Sequence, residues 1–141
     1  MLELPPLSLY IHIPWCVKKC PYCDFNSHEA QSDIPESDYI DILCQDFDRD
    51  YEHCDARPLQ SIFIGGGTPS LFGAKSFEKI LTHIRSKTSL SGECEITLEA
   101  NPGTAEADKF SGYFGAGINR LSIGVQSFDE RQLKNLGRIH S

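Results

Sequence analysis

Long apolar runs are missing from this chain: nowhere do 18 or more consecutive apolar residues occur, so no segment matches a membrane-spanning helix. The first residues, MLELPPLSLYIHIP, carry neither a basic flank nor a small-residue cleavage site, which argues against a secretory leader. Basic charge is scarce as well. The chain has 13 Lys and Arg against 20 Asp and Glu, a formal net charge of -7, and no basic run longer than Lys18-Lys19. It therefore lacks the cationic surface that tracks phosphates, and nucleic acid is not an expected partner. Low-complexity tracts, linkers and internal repeats are absent too. These exclusions leave a cytoplasmic globular protein with no membrane insertion. Its 141 residues, 40% of them hydrophobic, suffice for one core and not comfortably for two.

What is present is an alternation of short apolar strands with amphipathic helices. Leu7 to Ile13 (LSLYIHI), ended by Pro14, reads as a buried strand. From Ser37, the residues Ile40, Leu43, Cys44, Phe47 and Tyr51 recur at helical spacing, with Asp33 or Ser37 able to cap the start. Ser61 to Ile64 is a second strand that runs into Gly65-Gly66-Gly67, and Phe77, Ile80, Leu81 and Ile84 mark the helix after it. The unit recurs as Glu95 to Leu98 with a helix around Ala105 to Phe114. It returns as Arg120 to Val125 with a helix around Glu130 to Leu136, closed by Gly137. Four βα units predict an α/β fold on a parallel sheet, with ligands beyond the carboxyl ends of the strands.

Six cysteines are present, and in a reducing compartment clustered thiols serve metal or catalysis more often than disulfides. Cys16, Cys20 and Cys23 fall within eight residues on the loop from Pro14 to His28, spaced C-x-x-x-C-x-x-C. Three thiolates so close can wrap a compact soft metal centre, and a cubane held by only three would leave one iron open. On spacing alone, two other readings stand beside this one. A structural zinc could recruit His12 or His28, or Cys16 could pair with Cys20 and leave Cys23 spare. Pro14 and Pro21 argue against a cysteine-lined helix. Cys44, Cys54 and Cys94 read as ordinary thiols. The GGGTPS segment is either a tight βα turn, which Pro69 suits, or side-chain-free backbone that a ligand can approach.

YIHIPWCVKKCPYCDF, with Tyr22 before the last cysteine, resembles the signature loop of the radical S-adenosylmethionine (SAM) superfamily. It is most similar to the branch that holds oxygen-independent coproporphyrinogen III oxidases and the HemW-type haem chaperones. GGGTPS at 65 to 70, LEANPGT at 98 to 104 and RLSIGVQSFD at 120 to 129 extend the resemblance over nearly the whole chain. It implies a partial TIM-like (β/α) barrel, of which these are the first four βα units. Residues 1–141 would then form a truncated radical SAM core domain, with the rest of the barrel and a carboxyl-terminal domain absent.

The resemblance further implies a [4Fe-4S] cluster on Cys16, Cys20 and Cys23, whose open iron binds the amino and carboxylate groups of SAM. Electron transfer would then yield methionine and a 5'-deoxyadenosyl radical. By the same resemblance, Gly66, Gly67 and Thr68 offer backbone groups to SAM, and Glu99 meets its ammonium. Gln126, ending the fourth strand, would bond ribose hydroxyls, Arg138 would pair bidentately with the carboxylate, and Tyr10 would lie against the ligand. Phe25 stands where the oxidases carry a further cysteine, which points to the chaperone branch. That branch implies haem or a porphyrin as ligand, with a haem-acceptor protein and a flavodoxin-like electron donor as partners. Haem contacts would lie beyond Ser141. Conversion of coproporphyrinogen III to protoporphyrinogen IX is the alternative reading.

Overall fold

Strand β1 (Leu7–Ile13) alternates its side chains, so Ile11 and Ile13 are buried on one face while Tyr10 and His12 stand on the other. The computed structural model describes residues 2–103 and 107–138. After β1 come β2 (Trp15–Cys16), β3 (His28–Glu29), α1 (Glu36–Tyr51), β4 (Leu59–Gly66) and a single 3-10 turn (Pro69–Leu71). Then follow α2 (Ala74–Lys87), β5 (Leu90–Ala100), α3 (Phe110–Ala116), β6 (Arg120–Ile123) and α4 (Glu130–Asn135). β1, β4, β5 and β6 lie side by side in that order and pair in parallel, as four successive βα units require. The described residues contain no helix long and apolar enough to cross a membrane.

Register assigns the two faces of the sheet. Ile11, Ile64, Leu98 and Leu121 stand in one row, and Tyr10, Phe63, Thr97 and Arg120 in the next. The first face is covered by helices: Ile40 and Phe47 of α1 and Phe77, Ile80, Leu81 and Ile84 of α2 join Ile11, Ile62, Ile96 and Leu98 in the core. Each such side chain contributes roughly 1.5–3 kcal/mol by leaving water. The other face carries Tyr10, Phe63, Thr97 and Arg120, and the carboxyl end of the sheet holds the candidate site.

Boundaries depart from the sequence reading where pairing overrides local pattern. β4 continues through Gly65 and Gly66 because they pair with His12 and Ile13 of β1. β5 begins at Leu90 rather than Glu95; the register jumps from Leu59 beside Leu90 to Ser61 beside Glu95, so a bulge interrupts the ladder between them. Neither Asp33 nor Ser37 caps α1. Pro35 occupies the cap without a side-chain bond, and Glu36 instead serves α2, accepting from the Gly73 N–H at 2.7 Å and the Ser76 hydroxyl at 2.6 Å. β6 ends at Ile123, short of Val125, because the chain turns there: the Val125 N–H donates back to the Ile123 carbonyl at 3.1 Å. α3 starts at Phe110, and the start expected near Ala105 falls outside the described residues. α4 runs as expected, capped by Asp129 and closed by Gly137 at φ +72°.

Candidate functional site

The cysteine loop closes on itself through β2 and β3: the His28 N–H donates to the Pro14 carbonyl at 2.7 Å, and the Ala30 N–H to the Cys16 carbonyl at 2.9 Å. Cys16 is thereby buried at the neck of the loop. A turn follows, in which the Cys23 N–H donates to the Cys20 carbonyl at 2.9 Å. The Lys19 ammonium crosses the loop to the carbonyls of Phe25 at 3.3 Å and Ser27 at 3.1 Å. Burial pushes the Cys16 thiol above its ordinary pKa, whereas the Ser27 hydroxyl, 3.5 Å from Cys23, pulls that thiol down.

All six cysteines are free thiols, so the Cys16–Cys20 disulfide is not formed. Nor does His12 complete a zinc site. Its Nε2–H donates to the Asn26 carbonyl at 2.7 Å, which leaves Nδ1 to accept from the Tyr10 hydroxyl at 2.9 Å. His28 is exposed, and among the described residues no three His, Cys, Asp or Glu side chains converge on a single ion. Cys16, Cys20 and Cys23 instead line one cavity of about 420 Å³, between the cysteine loop and the ends of β4, β5 and β6. Three soft donors around a space wider than one ion fit a multi-iron cluster with room for a small molecule beside it.

Gly66, Gly67, Thr68, Glu99, Gln126 and Arg138 all line that cavity. Tyr10 does not; it stacks on Phe63, with burial and Glu99 raising its phenol pKa. The glycine loop is shaped first by packing. A side chain at Gly67 would strike the Trp15 carbonyl oxygen, and one at Gly66 would come within 2.5 Å of the Ile13 carbonyl oxygen. Its donors are engaged as well: Gly67 N–H to Ile13 at 2.8 Å, Thr68 N–H to Trp15 at 2.6 Å, and Gly66 N–H to Glu99 Oε2 at 3.3 Å. Of the backbone N–H and C=O groups expected to meet a ligand here, the three N–H groups are bonded within the fold.

Gln126 sits three residues past β6 at φ +65°, a left-handed backbone that turns its amide toward Gly124 and the cavity. Arg138 departs from the open fork expected of it. Nη2 donates to the Asn101 side-chain oxygen at 3.1 Å and the Gly124 carbonyl at 2.6 Å, and Nη1 reaches Cys20 Sγ at 3.7 Å. With both Nη2 hydrogens spent, a bidentate carboxylate would have to displace one partner. Nε is buried with no partner among the described residues. Sequence reasoning missed Asn101, Ser122 and Lys19 on the wall; the one signal for Asn101 was its place just after Glu99-Ala100 at a strand end.

Three comparisons bear on this arrangement. The profile of the radical SAM superfamily matches residues 10–141. The chain is 56% identical over 99% of its length to the haem chaperone HemW of Escherichia coli, and 59% identical over its whole length to that of Haemophilus influenzae. It spans 37% and 38% of those relatives, little more than a third of their length. Among solved structures, coproporphyrinogen III oxidase (HemN) from Escherichia coli, a radical SAM enzyme, superposes with a TM-score of 0.82 at 29% identity. That likeness covers 96% of this chain and 31% of the other.

Proposed function

This chain belongs to the radical SAM superfamily, and from that premise we propose that it is part of a cytoplasmic haem-binding and haem-delivering protein built on a [4Fe-4S] cluster and SAM. The observation that carries the reading is identity of 56% and 59%, over essentially the whole chain, to proteins named haem chaperones. Phe25 agrees with it, since an apolar ring, 70% exposed at the rim of the cavity, stands where the oxidases resembled here carry a thiol.

In this proposal Cys16, Cys20 and Cys23 hold the cluster. The Ser27 hydroxyl favours the Cys23 thiolate, while burial holds the Cys16 thiol above its ordinary value, so metal binding would have to displace the Cys16 proton. Glu99, fixed by the Gly66 N–H, presents its other carboxylate oxygen to an ammonium. Gln126 would offer an amide to hydroxyls, the backbone of Gly66 and Gly67 lines the same cavity, and Thr68 adds a hydroxyl. Arg138 offers positive charge to a carboxylate, and Tyr10 stands near Glu99 but outside the cavity, its hydroxyl bonded to His12. When bound, the cluster and SAM together supply one-electron cleavage of a sulfonium. A haem-acceptor protein and a flavodoxin-like electron donor complete the proposal.

Anaerobic incubation of the reconstituted full-length protein with SAM, reductant and either haem or coproporphyrinogen III tests it. Stable haem binding without turnover is expected. Protoporphyrinogen formation would instead favour the oxidase reading, which the 0.82 structural likeness keeps in view. Cys16→Ser, Cys20→Ser or Cys23→Ser should each abolish iron content and visible absorption, and Cys44→Ser, Cys54→Ser and Cys94→Ser should leave both in place.

A further inference from the structure

Four polypeptide segments meet at the carboxyl end of the sheet, and one side chain joins three of them. Asn101, just past β5, donates from Nδ2 to the Thr68 hydroxyl oxygen at 3.2 Å, after β4. Its Oδ1 accepts from Arg138 Nη2 at 3.1 Å, past α4. The amide orientation is forced, because a guanidinium has no acceptor and only the oxygen of Asn101 can face it. Arg138 then extends Nη1 to Cys20 Sγ at 3.7 Å, in the fourth segment. Gly137 permits this approach: a side chain there would stand 3.2 Å from the Pro21 ring, beside Cys20, and its φ of +72° suits glycine.

We propose that Asn101 is a positioning residue that fixes the Arg138 guanidinium against Cys20 and so raises the reduction potential of the cluster. The inference rests on the cluster reading given above. Hydrogen bonds to ligand sulfurs and net charge near the cluster set such potentials, and a fixed cation stabilises the more negative, reduced form. Without Asn101, Arg138 keeps the Gly124 carbonyl at 2.6 Å and the neighbouring Tyr22 phenol but loses the side chain that ties it to β5, and its long side chain regains rotamers that leave Cys20. Supporting groups around metal ligands carry effects of this kind.

The test is a redox titration of the reconstituted full-length protein, followed by electron paramagnetic resonance, with calorimetry of SAM binding alongside. Asn101→Ala should keep full iron content and lower the reduction equilibrium about tenfold, ~59 mV for one electron. Arg138→Gln should lower it at least as far, and the double variant should match Arg138→Gln alone, since Asn101 acts through Arg138. Asn101→Ser carries the same comparison if the alanine variant does not accumulate. An unchanged potential at full iron content, or a further fall in the double variant, overturns the inference. A wild-type protein that takes up no iron and sulfide overturns the underlying reading, and the inference with it.

Discussion

Gly67 has its place because β2 passes directly over it. A Cβ there would meet the Trp15 carbonyl oxygen and carbon, and the loop cannot back away without losing the Gly67 N–H bond to Ile13 at 2.8 Å. Gly67→Ala should therefore cost about 3 kcal/mol, the upper range for overpacking, read as a lowered denaturant midpoint. A change under about 0.5 kcal/mol would show that the loop relaxes freely. Gly92, with nothing near its would-be Cβ, is the internal control. At this scale the cysteines and most cavity residues were legible, because they fall in contiguous motifs at strand ends. Asn101 was not. Its partners Thr68 and Arg138 are 33 and 37 positions away, and no local pattern announces a bond across that span. The orientation of Arg138 was hidden for the same reason.

At the scale of elements, α3 is tied to the turn after β4 by one hydroxyl. Tyr113, 1% exposed, donates to the Ser70 carbonyl at 2.9 Å and the Phe72 carbonyl at 2.8 Å. Tyr113→Phe keeps the ring against Phe77 and removes only this bridge, leaving a buried carbonyl at Phe72 short of a donor. Ser70 retains the Lys109 ammonium at 2.9 Å. The expected loss is about 1–2 kcal/mol in chemical denaturation, with the SAM site affected less than global stability. The strands behind this packing could be read as short apolar runs and the long helices from a period of 3.6 residues. The bulge in β5 and the β2–β3 pair could not: the first depends on the register with β4, and the second is two residues long and held by backbone bonds alone.

Two properties belong to the molecule as a whole. Burial raises the thiols of Cys16, Cys44 and Cys94 and the phenol of Tyr39 above their ordinary pKa values, and Cys23 alone among the shifted thiols moves down. Groups raised in the fold ionise first in the unfolded chain. Their contribution is thus complete at neutral pH and is lost as pH climbs past about 9. Thermal melting of the metal-free protein from about pH 7 to about pH 10.5 should show a falling midpoint above about pH 9; a flat profile would contradict the burial of these groups. The second property is an open edge. β6 pairs with β5 on one side only among the described residues, Ile123 is 43% exposed on it, and Phe128 just beyond is 97% exposed. An unpaired strand edge with apolar side chains invites pairing with another copy. Residues 1–141 expressed alone should therefore self-associate in light scattering and bind SAM more weakly than the full-length protein. Ile123→Lys, which places charge on the edge without touching the cavity wall, should shift the same polypeptide toward monomer. If Ile123→Lys scatters as strongly as the parent, the association runs through another surface and the edge is not its cause.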